Sequence, residues 1–207
     1  MKRMPGYQYS FHEPPPLPGE EFLSQWIYLA ELLEKIAGDF SAEKQHTRAI
    51  EQYIRAKEIL AEIALIDPKS LPYLFFVIIS LIREYVILER LLDAHHLCIQ
   101  AVSEWEPLLQ TSHQKLIFAH IRYCKALIET ELTLYEEAIY EYELIILTWK
   151  GFVSKDMGIF MPIIKKVAFT LNLLYHRAGH PEDGEKLQNY LENLCETVSE
   201  KKTYLPV

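Results

Sequence analysis

Leu74-Phe75-Phe76-Val77-Ile78-Ile79-Ser80-Leu81-Ile82 is the most apolar run of the 207-residue chain, and it opens the stretch Leu71 to Gln110 on which the fold turns. Ile78, Leu81, Ile82 and Tyr85 recur three and four apart, which puts one apolar stripe on a helix. A second amphipathic segment begins at Asp93 and closes on Pro107. Its small Ala94 and Ala101, with Cys98 between them, let it pack closely against the first helix. Leu71 to Ile82 is 12 residues long before Arg83-Glu84. That is short of the roughly 20 needed to cross a bilayer, so the run reads as a buried helix with no membrane insertion.

Outward from this stretch the same small-residue mark recurs. Ala49, Ala94, Ala138 and Gly184 are 45, 44 and 46 residues apart, each near the start of the second helix of a pair. In the first pair a helix is expected from Glu20 to Ala37, carrying Trp26, Leu29, Ala30 and Leu33 and broken by Gly38-Asp39. Ser41 is the expected N-cap of its partner, which stops at Asp67-Pro68. Facing Ala30 with Ala49 leaves 19 residues between them, against 12 from Ile82 to Ala94. The third pair opens on Thr111-x2-Gln114, a capping box, although Arg122 and Lys125 fall where packing residues are expected. Lys150 to Asp156 reads as a connector. The fourth pair places Gly179 past one helix and Pro181 at the start of the next. Residues 1–19 form a proline-rich arm, either a ligand for a proline-recognition domain or a lead-in whose aromatics pack on the first helices. Residues 201–207 read as a frayed tail.

The pattern Ile78-x2-Leu81-Ile82-x2-Tyr85, then Ala94-x3-Cys98-x2-Ala101, then Pro107 resembles a tetratricopeptide repeat (TPR), with units longer than the usual 34 or so residues. The resemblance implies an all-α, right-handed superhelix (an α-α solenoid) of about four helix pairs over residues 20–200. Its first helices would line a concave wall. TPR domains that clamp the C-terminal carboxylate of heat-shock chaperones carry a Lys and an Asn one turn apart on the first helix. Here that helix offers Glu31, Glu34 and Lys35, with no Asn.

A net charge of −8 disfavours nucleic acid and anionic membrane surfaces as partners. Three cysteines without a disulfide spacing, and no apolar run behind the charged start, point to a cytoplasmic protein with reduced thiols. Cys98, Cys124, His95, His96 and His120 could approach one another as zinc ligands, but they lack compact spacing and read as packing and surface residues. No phosphate loop, nucleophile elbow or H-E-x-x-H is present, so neither catalytic residues nor a cofactor is expected. Glu136, Glu137, Glu141 and Glu143 read as the solvated outer face of a helix.

On the first helices, Lys115, His120, Arg122 and Lys125 in the third pair and Lys165, Lys166, His176 and Arg177 in the fourth make a basic wall suited to an acidic partner. Rotating one residue past each packing position gives an apolar ladder of Ile27, Ile79, Tyr123 and Phe169, with Phe76 a turn earlier on its helix. Arg83, His120, Lys166, His176 and Arg177 edge it. The expected function is a non-catalytic scaffold that binds an extended segment or helix of another protein on this wall. A secretion-type chaperone and a ligand-responsive sensor are the alternatives.

Overall fold

The computed structural model describes residues 20–153 and 157–203. The proline-rich arm at 1–19, part of the expected connector (154–156) and residues 204–207 lie outside them. The described residues are all helical, with no strand: α1 (Glu20–Ala42), α2 (His46–Ile66), α3 (Leu71–Ile87), α4 (Leu91–Trp105), α5 (Ser112–Glu131), α6 (Tyr135–Val153), α7 (Met157–Ala178) and α8 (Pro181–Thr203). Single 3₁₀ turns at Pro68–Ser70 and Glu106–Leu108 lead out of α2 and α4.

Four hairpins share one turn. Lys44, Glu89, Thr133 and Gly179 each take the left-handed conformation, with φ of 62°, 57°, 62° and 88°. At each, the next amide donates back five residues: Gln45 to Phe40, Arg90 to Tyr85, Leu134 to Glu129 and His180 to Tyr175, at 2.7–2.9 Å. The left-handed residue's own amide donates back three residues, completing a Schellman motif each time. The turns repeat at 45, 44 and 46 residues, and each stands five residues before Ala49, Ala94, Ala138 or Gly184. A small residue is needed at these positions. A Cβ on Gly184 would lie 2.1 Å from Asn172 Oδ1.

This register corrects the reading of the first pair. Helix α1 runs through Gly38-Asp39 to Ala42, and α2 is capped at Gln45 rather than Ser41. One glycine inside a helix costs only about 1 kcal/mol, and Phe40 beyond it still packs on the core. Counted from the turn, Ala37 stands opposite Ala49 as Ile82 stands opposite Ala94, so the first pair has no extra turns. At the other expected connector, α6 continues through Gly151 to Val153, and α8 reaches Thr203 where a frayed tail was expected.

Helix α3 is also longer than its apolar run. Pro68–Ile87 reaches the length and mean hydropathy (1.6) of a membrane span, which removes the argument from shortness. What holds α3 inside the helical stack is its surroundings. Leu71, Leu74, Phe75, Val77, Ile78, Leu81 and Ile82 are buried in the core. Fully buried Glu84 accepts from Ser41 Oγ and pairs with His46 Nδ1, both at 2.7 Å, tying α3 to the first hairpin's turn.

The core has two parts that meet on α5. Ile117, Phe118, Ile121 and Ile128 face the first two hairpins, while Ala119 and Ala126 face α6 and α7. The expected capping box starts α5. Thr111 Oγ1 accepts from Gln114 N, and Gln114 Oε1 accepts from Thr111 N. Gln114 Nε2 also donates to the Pro68 carbonyl at 2.6 Å, stapling α5 to the start of α3.

Candidate functional site

The turn register aligns the first helices row by row. One row holds Glu31, Phe76, His120 and Lys166, all exposed. The next holds Glu34, Ile79, Tyr123 and Phe169, and a third holds Gly38, Arg83, Leu127 and Leu173. Glu34, rather than Ile27, is therefore the counterpart of Ile79. Ile27 aligns with Pro72, Leu116 and Pro162 and packs partly against the core. Burial, and then Glu31, raise the Glu34 carboxyl above its usual range. Of the remaining expected wall residues, Phe76 (51% exposed), Arg83, Phe169 (67%), His176 and Arg177 stand open, and Ile79 is half-buried.

His120, Tyr123 and Lys166 come together. With Trp149 of α6 and Pro162, Ile163 and Val167 of α7 they line a groove of about 340 Å³ between α5 and α7. The Trp149 indole is 3% exposed and forms the back of the groove. The His120 ring meets it edge-on at 6.0 Å, and Tyr123 lies against both Trp149 (6.4 Å) and Tyr142 (6.1 Å). His120 Nδ1 is 3.3 Å from the Leu116 carbonyl. A carbonyl only accepts, so Nδ1 carries the proton and Nε2 is left to serve the groove. Among the described residues the buried Trp149 Nε1–H has no acceptor. Among the described residues no carboxylate pairs with Lys166.

Behind the groove the charges are arranged otherwise than the sequence indicates. Glu141 is 2% exposed and buried, not part of a solvated face. It accepts from Arg122 Nη1 at 2.5 Å and Lys125 Nζ at 2.6 Å. Arg122 also holds Glu106, and Lys125 also holds Glu129, whose Oε1 is 3.1 Å from His95 Nε2. Arg122 and Lys125 are thus internal ties that hold α5 to α6 and to the 3₁₀ turn after α4, and the basic wall loses both. Burial acts to lower both cations' pKa values, but the surrounding glutamates outweigh it and raise them.

The cysteines are packed. Cys98 is fully buried, and its thiol is pushed far up by burial. Cys124 is partly buried and pushed up to about 11 by the same cause. Among the described residues, no three His, Cys, Asp or Glu side chains are placed to share a metal ion.

A larger cavity of about 500 Å³ opens on the opposite side, between α6 and α8. Its charged groups are already engaged, Lys186 with Asp183 at 2.7 Å and Glu143 with Tyr175, while nearby Lys150 lies over the Tyr190 ring at 4.8 Å; the buried Tyr190 hydroxyl has no hydrogen-bond partner among the described residues. The α5–α7 groove keeps unengaged polar groups beside exposed apolar ones, which makes it the stronger candidate.

The sequence reading missed Trp149, Pro162 and Ile163. A signal existed for the tryptophan, since Trp105 and Trp149 are 44 residues apart, the same step as the turns at Glu89 and Thr133. No protein-family model matches the chain, and no curated protein matches it.

Proposed function

We propose that the chain is a non-catalytic interaction scaffold, a TPR-like right-handed superhelix of four helix pairs that captures a segment of another protein along its first helices. It works in the cytoplasm and needs no cofactor. The observation that carries this reading is the set of exposed apolar side chains on α1, α3, α5 and α7, spread over four rows three or four residues apart: Tyr28 (68% exposed), Tyr73 (45%), Phe76 (51%), Leu127 (41%), Phe169 (67%) and Leu173 (47%). Side chains of this size standing open at helical spacing on the first helices supply the anchors that interfaces use, each worth roughly 2 kcal/mol or more when truncated at a hot spot. The four matched turns support a repeat architecture, because repeats bury their faces only by stacking on one another.

Photo-crosslinking tests the reading. A benzophenone side chain replacing Phe76, Tyr123 or Phe169 should capture a partner from the native cell extract. The same group at Tyr140 or Leu147, on the outer side of α6, should not. The double variant Tyr123→Ala/Phe169→Ala should lose capture while keeping its helical circular dichroism. If crosslinks form only through Tyr140 and Leu147, or if charge reversal at exposed Glu136 and Glu137 abolishes capture instead, the outer face is the functional one.

A further inference from the structure

The α5–α7 groove has a shape and a charge that narrow the kind of segment it takes. Its two lips are helices bearing parallel stripes. Along α5 run His120 and Tyr123, and along α7 run Ile163, Lys166 and Val167, all lining the groove, whereas Phe169 lines a pocket against α8. Steps of three and four residues keep each set on one side of its helix. The polar groups offered to an occupant are few: Lys166 Nζ, His120 Nε2 and the Tyr123 hydroxyl. The backbone of both lips is helical, and at Pro162 it has no N–H to offer. An extended segment lying here would find protein partners for only a small part of its main-chain N–H and C=O groups, whereas a helix satisfies its own. The charge is equally selective. In a chain of net charge −8, residues 157–178 contain no acid and carry Lys165, Lys166, His176 and Arg177. Lys125 and Arg122, the cations that could have been confused with this set, are neutralised internally by Glu141, Glu129 and Glu106.

We infer that the groove between α5 and α7 receives an amphipathic, acidic helix from the partner protein, with its apolar stripe between Tyr123 and Ile163 and a carboxylate on Lys166. This rests on the reading of the chain as an interaction scaffold and names what one part of that scaffold holds.

The test uses the full chain and a fluorescein-labelled stapled peptide. The peptide is roughly 14 residues long, stapled because free helices of that length are marginal, with Leu every three or four residues and Glu on both flanks. Anisotropy should report saturable binding that weakens at least about tenfold when Gln replaces Glu. Lys166→Glu should abolish binding to the Glu peptide and restore it to a Lys-flanked one. A proline placed mid-peptide should abolish binding as well. Equal binding by the proline-broken peptide would mean that the groove takes an extended chain. An unchanged affinity in Lys166→Glu, or no binding at all, also overturns the proposal. If it is overturned while benzophenone at Phe76 still captures a partner, the scaffold reading stands without this groove. Loss of both removes the scaffold reading as well.

Discussion

Between α3 and α5 the seam is filled by Phe75 and Phe118, both buried, whose rings meet edge to face at 5.1 Å. Counted from the turns, the same two positions between α5 and α7 hold Ala119 and Ile164. The smaller pair is buried too but makes no such ring contact, and beside it the seam opens. Trp149 closes it from behind, and the 340 Å³ groove is what remains in front. One repeat register thus yields a closed seam and an open one. The difference lies in two residues whose size changes while their place does not.

The largest expected effect breaks the closed seam. Phe118→Ala should cost about 3–5 kcal/mol, as buried aromatic truncations do, whereas Ile163→Ala at the lip of the open one should cost about 1 kcal/mol or less. Urea denaturation followed by circular dichroism measures both. Equal losses would mean that the groove is a packed interior in solution.

Next comes the tie behind the groove. Glu141→Gln keeps an acceptor for one cation but withdraws the charge that Arg122 and Lys125 share. Each cation retains a second carboxylate, Glu106 or Glu129. The loss should therefore be about 2–3 kcal/mol, below the 3–5 of a fully orphaned buried charge. Glu137→Gln, one turn away and exposed, serves as the control and should be silent in the same melt.

What the chain discloses before folding follows the same division. The repeat step was readable because Ala49, Ala94, Ala138 and Gly184 must be small wherever two helices cross closely, and small residues stand out. The turns were not, because three of the four left-handed residues are Lys44, Glu89 and Thr133, which no composition rule flags. Gly38, the residue that looks most like a break, sits inside a helix. That one misreading moved the first pair's register by a full seven residues and put Ile27 where Glu34 belongs. At the site, helical spacing put His120, Tyr123 and Lys166 on neighbouring stripes, and they line one groove, since spacing fixes direction. It could not fix depth. Arg122, Lys125 and Glu141 look like surface charges by type, and their burial depends on partners from other helices.

Alkaline pH should weaken the closed side in particular. Burial raises the Cys124 thiol from its ordinary 9.0 to about 11, so the folded state holds that proton more tightly than the unfolded chain. Its contribution is whole below pH 9, declines as pH rises above 9 and is gone by about 11. Fully buried Cys98 acts in the same sense. Denaturant midpoints measured from pH 8 to 11 should fall by an amount on the order of 1–2 kcal/mol more in the native chain than in Cys124→Ala. A parallel fall in both would assign the alkaline loss to other groups.

The smallest effect has the opposite sign and tests the register common to both seams. Thr133 takes φ 62° in the α5–α6 turn, where Gly179 takes 88° in the next hairpin. A β-branched residue in this region is strained by roughly 1–2 kcal/mol. Glycine relieves that strain but gives back about 0.4–1 kcal/mol through the freedom it adds to the unfolded chain. Thr133→Gly should therefore raise stability by about 0.5–1 kcal/mol, while Gly179→Ala should lower it by a similar amount. Neither touches a groove residue, so peptide anisotropy should stay at the native value in both. If Thr133→Gly destabilises, the left-handed turn is not the conformation this hairpin takes. The row alignment that sets Ala119 and Ile164 against Phe75 and Phe118 would then lose its anchor at α5.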